Sequence, residues 1–396
     1  MRKRLYYIIC MCASVMFTFC SCTDDSADGT EQVQQQELHI SLGSHQLDIT
    51  RASGDLPSDF EYYVHSSALA KIEQIQCYMA YSITQQGQEQ KKNDYIPCVF
   101  NYTKDNNNDT WTSTVPLKAL EPGNTYYLYG FMPKGNVQGS VNIEPLNNDY
   151  KNGAVMTLTN LNAVSPDDIC VIVGAKGYDG TNIPQMSSRL GVFNYYPTDG
   201  KYIFLLIDHL YAGLQFNMSL GSQYSKLRGI KVRSIKLIPE DGNNEVIETV
   251  TAIVTIVANE DEENENPNPI VPRLNSSGDE IGGSVEFPED QYGRGTNPIP
   301  AVLFEGEKEL TTTAENFLAC FCPATNKKFT LETTYDVYDR KGNPIREGET
   351  ARNAIELKRD MTAGQIHIVN ITVEPTYLYM LSDPDLDNPT FEISSE

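Results

Sequence analysis

The chain has 396 residues, 53 of them acidic and 30 basic, for a formal net charge of −23. Its 40% hydrophobic content suffices for a large core and, on size, for two or three domains, while the acidic balance excludes nucleic acid as a natural partner. Two domains are the expectation adopted here.

The first 21 residues are not part of a fold. Arg2, Lys3 and Arg4 precede an apolar run from Leu5 to Phe19 that is short for a bilayer span, which is the pattern of an export signal. Cys22 follows the small Ser21, so it is the expected lipidation site, and residues 22–36 form a polar, lipidated tether rich in glutamine. Removing residues 1–21 leaves 27 basic and 53 acidic residues, a charge of −26. Acyl chains on Cys22 would hold the protein to the outer membrane without spanning it. The acidic start Thr23 to Asp28 resembles the tags that send lipoproteins of Bacteroides-like bacteria to the outer cell surface.

From residue 37 onward the chain reads as β throughout. Leu38, Ile40 and Leu42 alternate with His39 and Ser41, and Leu47 and Ile49 resume the alternation after Gly43, which predicts a first strand. Arg51, Ala52, Ser53, Gly54 and Asp55 then form a loop. Further strands are predicted around Ile75–Tyr81, Tyr95–Tyr102, Trp111–Leu117, Thr125–Met132 and Ile169–Gly174, separated by Asn, Gly and Pro clusters at sandwich spacing. Residues 175–199 read as loop, placing a boundary between an N-terminal domain, 37–195, and a C-terminal domain, 196–396. In the second part, Tyr202–Leu210, Ile230–Leu237, Val246–Ala258, Phe329–Val337 and Ile366–Val373 are predicted strands, with a hairpin turn at Asp339–Asn343. Residues 259–298 read as a polar excursion, and Tyr377, Leu378, Tyr379 and Met380 lead into an acidic tail.

Little in this chain announces chemistry. His39, His45, His65, His209 and His367 are scattered singly, with no carboxylate or cysteine at metal-ligand spacing, so no metal centre and no cofactor are expected. Beyond the signal, Cys77, Cys98, Cys170, Cys320 and Cys322 lie in apolar runs and read as buried thiols, with one bridge left open. The acidic run Asp383 to Asn388 matches the start of a calcium loop but has no glycine at its sixth position and Ser394 where the closing carboxylate belongs. No nucleophile elbow or phosphate loop follows a strand, so no enzyme is expected.

Several landmarks in order resemble the fimbrillin family, the major and minor pilus subunits of Bacteroidales. They are Cys22, the strand ending in Thr50-Arg51-Ala52-Ser53-Gly54-Asp55, the run His209 to Phe216, the hairpin Tyr338 to Ile345 and the run Ala363 to Val373. The resemblance implies an all-β lipoprotein of two transthyretin-like β-sandwich domains in tandem. It also implies a trypsin-like processing protease that cuts between Arg51 and Ala52 and so releases a removable first strand bearing Leu38, Ile40, Leu42, Leu47 and Ile49. The C-terminal segment of another fimbrial subunit would then fill the groove by strand addition. The matching donor here begins at Tyr377, Leu378, Tyr379 and Met380. Pro375, Pro384 and Pro389 interrupt that tail and favour a tip or anchor role over a stalk subunit. The implied setting is a cell-surface fimbrium, with a host or bacterial surface receptor as a further partner. The alternative is a monomeric surface lipoprotein binding glycans or host protein, with Tyr126, Tyr127 and Tyr129 as stacking candidates.

Overall fold

The computed structural model describes residues 35–41, 74–84, 91–104, 109–116, 125–178, 192–194, 202–240, 246–257, 273–274, 280–281, 283–374 and 390–393. Among these there are strands and short 3-10 turns but no α-helix, and therefore no helix able to cross a membrane. The first strands are β1 (Gln35–Ser41), β2 (Gln74–Thr84), β3 (Lys91–Lys104), β4 (Asp109–Pro116), β5 (Thr125–Met132), β6 (Val141–Pro145), β7 (Gly153–Asn162) and β8 (Val164–Ser165). Then come β9 (Cys170–Tyr178), β10 (Val192–Asn194), β11 (Tyr202–His209), β12 (Ala212–Leu220), β13 (Arg228–Glu240), β14 (Val246–Val257), β15 (Arg273–Leu274) and β16 (Glu280–Ile281). The last are β17 (Ser284–Glu286), β18 (Gly293–Gly295), β19 (Ala301–Leu310), β20 (Glu315–Phe321), β21 (Lys328–Asp339), β22 (Pro344–Glu356), β23 (Ile366–Val373) and β24 (Thr390–Ile393).

Four main sheets enclose two cores. One core lies between β19-β13-β21-β22 and β24-β23-β12-β20-β8, and β12 shows how sequence builds it. Ala212, Leu214, Phe216, Met218 and Leu220 point inward, while Gln215, Asn217 and Ser219 point to the other face. There Asn217 donates to Asn370 of β23 at 2.9 Å, so the polar positions pair across strands. Burying each large apolar side chain contributes roughly 1.5–3 kcal/mol, which is why the period of two specifies the inward face. The hairpin predicted at Asp339 joins β21 to β22: one Asp339 carboxylate oxygen accepts from the amides of Lys341 and Asn343, both at 2.8 Å, and Gly342 takes the positive φ of +82° that the turn needs.

The other core lies between the sheet β17-β14-β7-β6, to which β18 is added, and an eight-stranded sheet ordered β10-β5-β2-β3-β4-β1-β11-β9. An additional pairing of Gly130–Met132 on β5 with Ile172–Cys170 on β9 closes this sheet on itself. Its strand β2 is buried on both faces. On β2, Tyr78 and Ala80 join the core shared with the neighbouring sheet, whereas Ile75, Cys77 and Met79 are fully buried on the opposite face, with Cys98, Phe100, Tyr126 and Leu128 also buried nearby in the sheet.

Three differences from the sequence expectations have simple causes. β1 begins at Gln35, inside the predicted tether, because backbone pairing with Pro116 and Val115 starts there irrespective of side-chain polarity. β9 runs on to Tyr178, where Ala175 and Gly177 carry no apolar signal but pair with Leu205 and Ile203 of the strongly apolar β11. The polar excursion contains four short strands, and β17 and β18 add to β14, which supplies the apolar residues that they lack. Strands from beyond residue 196 share sheets with strands from before it: β11 with β1 and β9, β14, β17 and β18 with β7 and β6, and β12, β20, β23 and β24 with β8. The expected boundary at 195/196 lies outside the described residues.

Candidate functional site

The first strand occupies an interior position. Gln35 to Ile40 run antiparallel to Pro116 to Trp111 of β4, and Ile40 and Ser41 pair in parallel with Ile203 and Phe204 of β11. β1 is thus the strand that links β4 to β11 in the closed path β5-β2-β3-β4-β1-β11-β9. A parallel neighbour cannot be reached by a tight hairpin, so the chain must travel far between β1 and β11, and here 160 residues separate Ser41 from Tyr202. Removing β1 would expose backbone donors and acceptors on two strands at once.

Leu38 and Ile40 of the expected removable strand lie in β1. Leu42, Leu47, Ile49, Arg51 and Ala52, the lipidation residue Cys22 and the donor candidates Tyr377, Leu378, Tyr379 and Met380 lie outside the described residues, as does the acidic run from Asp383 to Asn388. Downstream of the donor residues, β24 pairs antiparallel with β23 through Thr390 to Ile393 at the end of its sheet. Of the stacking candidates, Tyr126 and Tyr129 are fully buried, and Tyr129 donates to the Tyr150 carbonyl at 2.6 Å. Only Tyr127 is part-exposed, so the tyrosines of β5 mainly pack.

A second constellation was hidden in the sequence by distance along the chain. The register of β11 on β9 sets His209 directly opposite Cys170, and Asp168 precedes Cys170 by two residues. All three are buried. The Asp168 Oδ2 lies 2.5 Å from His209 Nδ1 and 3.1 Å from Cys170 Sγ, and Sγ lies 3.5 Å from the same Nδ1. Because carboxylate and thiol meet one ring nitrogen, the imidazole cannot relay a proton between them through its two nitrogens, as a nucleophilic triad requires. The other carboxylate oxygen, Asp168 Oδ1, is buried without a hydrogen-bond partner.

The five cysteines beyond the signal form no disulfide and are buried, as their apolar runs predict. Burial pushes the Cys77 and Cys320 thiols well above their ordinary value, aided by Cys98 in the first case and by Asp168 and Asp167 in the second. It raises Cys98 and Cys322 to about 12. Burial likewise raises Tyr211, with lesser contributions from Cys322, Asp168 and Cys320, and its hydroxyl donates to the Asn162 carbonyl at 2.6 Å.

No family model and no curated protein matches the chain. Its structural neighbours include adhesion and fimbrial proteins of Bacteroidales. One, titled a cell adhesion protein of Bacteroides fragilis, has 10% identity and a TM-score of 0.37, with 82% of this chain and 84% of that one covered. The tip fimbrial protein Mfa3 of Porphyromonas gingivalis, solved with a C-terminal truncation, has 10% identity and a TM-score of 0.23 over 91% of this chain and 99% of that one. An adhesin of Bacteroides ovatus has 6% identity and a TM-score of 0.25 over 92% and 98%.

Proposed function

We propose that this protein is a surface-exposed, non-catalytic fimbrial subunit or adhesin that polymerises when its first strand is removed. The observation that carries this reading is the placement of β1 between β4 and β11, where the first of the described strands is paired on both sides. Arg51 follows β1 by ten residues and precedes β2 by twenty-three, so a cut after it severs β1 from the remainder of the sheet. An extended segment from a second subunit, beginning in the region of Tyr377 to Met380, would then satisfy the backbone groups of β4 and β11. Lipidation at Cys22 holds the precursor at the outer membrane until the cut frees it.

Limited trypsin treatment of the lipid-free precursor, followed by N-terminal sequencing and size-exclusion chromatography, tests the proposal. The expected product begins at Ala52 and forms a ladder of oligomers, and the Arg51→Ala variant forms none. A wild-type product that begins at Ala52, has shed β1 and yet stays monomeric at high concentration would remove polymerisation from the reading.

A further inference from the structure

We propose that Asp168, Cys170 and His209 form a binding site for a divalent transition cation of the zinc class, which ties the start of β9 to the end of β11. The three side chains supply one carboxylate oxygen, one sulfur and one imidazole nitrogen, and these ligand atoms all lie within 4.8 Å of one another. That donor set suits a borderline cation, being too soft for calcium or magnesium and too nitrogen- and oxygen-rich for a copper thiolate centre.

The geometry is already close to the one a cation needs. Bond lengths of about 2.0–2.3 Å in a tetrahedral site place ligand atoms about 3.2–3.7 Å apart. The sulfur already lies 3.5 Å from the nitrogen, whereas Asp168 Oδ2, 3.1 Å from the sulfur and 2.5 Å from the nitrogen, must move away from both, by a rotation of the carboxylate. Backbone register sets the placement, because Cys170 and His209 are a directly opposed pair in the β9–β11 ladder and need no rearrangement to share an ion.

A second observation points to a ligand here. Asp168 is 5% exposed, and its Oδ1 has no hydrogen-bond partner although the atom is buried. A buried carboxylate with one orphaned oxygen is stabilised by a bound cation. On binding, the Cys170 thiol gives up its proton to solvent and becomes thiolate, and Nδ1 of His209 must offer its lone pair, so its proton resides on Nε2. Three protein ligands leave a fourth position for water. The strand that carries His209, β11, is also the parallel partner of β1, through Ile203 and Phe204.

The test uses the reduced, full-length mature chain, stripped with a chelator and titrated with zinc chloride or cobalt chloride alone. The expected result is one equivalent of zinc per chain and, with cobalt, a thiolate-to-metal charge-transfer band with the visible bands of a four-coordinate ion. Cys170→Ser should abolish the charge-transfer band, His209→Gln should weaken zinc binding at least tenfold, and Cys320→Ser/Cys322→Ser should leave both unchanged. Should the Cys170 or His209 variants fail to fold, the wild-type melting temperature decides, and it should rise with zinc concentration. A folded wild-type chain that binds no zinc, or a cobalt–thiolate band that persists in Cys170→Ser, overturns the proposal.

Discussion

Beginning the chain at Ala52 removes β1 and with it six residue pairs on β4 and two on β11. An antiparallel stretch of that length carries about six backbone hydrogen bonds and the parallel stretch about one more. At a net value of about 1 kcal/mol each, the pairing is worth about 7 kcal/mol, which is comparable to the whole 5–15 kcal/mol by which folded domains exceed their unfolded states, roughly. Ordering the seven residues of β1 costs about 1–2 kcal/mol each in backbone freedom and so offsets this pairing. The shortened chain, however, keeps β4 and β11 with their facing backbone groups unpaired, at roughly 1 kcal/mol or more for each group that water does not reach, so it should melt below the intact chain. The assay is a thermal melt at low protein concentration, read by circular dichroism. Adding a synthetic peptide that spans residues 35–51 should restore the melt in a saturable way, because the peptide refills the gap between β4 and β11. A shortened monomer that melts within a degree of the intact chain would refute the argument, for it would mean that β4 and β11 do not depend on their shared partner.

Further outcomes follow from particular contacts. The Asp336 carboxylate, 1% exposed, accepts from Gly348 at 2.8 Å, Arg233 at 2.5 Å and Tyr338 at 3.1 Å; burial alone would raise its pKa, but these bonds and the nearby guanidinium hold it below the usual carboxylate range. Asp336→Asn should cost roughly 2–3 kcal/mol at neutral pH in urea unfolding. Since the folded-state value is depressed, this contribution is present above about pH 4 and is lost as the pH falls through the folded-state value, so the gap between wild type and variant should close in acid. Gly130 sits where β5 passes between β2 and β9, and a Cβ there would meet the Gln76 carbonyl oxygen at 2.1 Å and the Cys77 Cα at 3.0 Å. Gly130→Ala should therefore destabilise by about 1–3 kcal/mol in the same assay, and an unchanged midpoint would show that the strands can separate there freely. Because Cys98 and Cys322 are raised to about 12, and Cys77 and Cys320 also lie above their ordinary value, iodoacetamide at pH 8 should label none of these four in the folded protein and all four in denaturant. Raised thiol values stabilise the fold below the unfolded-state pKa and lose that contribution as the pH climbs toward 12, so stability should decline from about pH 9 upward.

Local pattern was enough wherever one strand carried its own signal. The alternation of Phe329, Leu331, Thr333, Tyr335 and Val337 predicts β21, and Asp339 to Asn343 predicts its turn, because side-chain direction and turn geometry are set within a few residues. β17 and β18 have no such signal, and they form by adding to β14. The thiols of Cys77 and Cys98 read as buried from their apolar neighbours, yet nothing local states that they stand directly opposite one another on β2 and β3.

The same division separates the two candidate sites. Alternation from Leu38 onward marks a strand in any fold, since the pleat repeats every two residues whatever lies beside it. That this strand joins β4 to β11 depends on pairings across tens to hundreds of residues, which no short window contains. Asp168, Cys170 and His209 are unremarkable in sequence, 39 residues separating the histidine from the cysteine. They meet because β11 folds back on β9 in one register, and a slip of a single residue would turn His209 to the opposite face of the sheet.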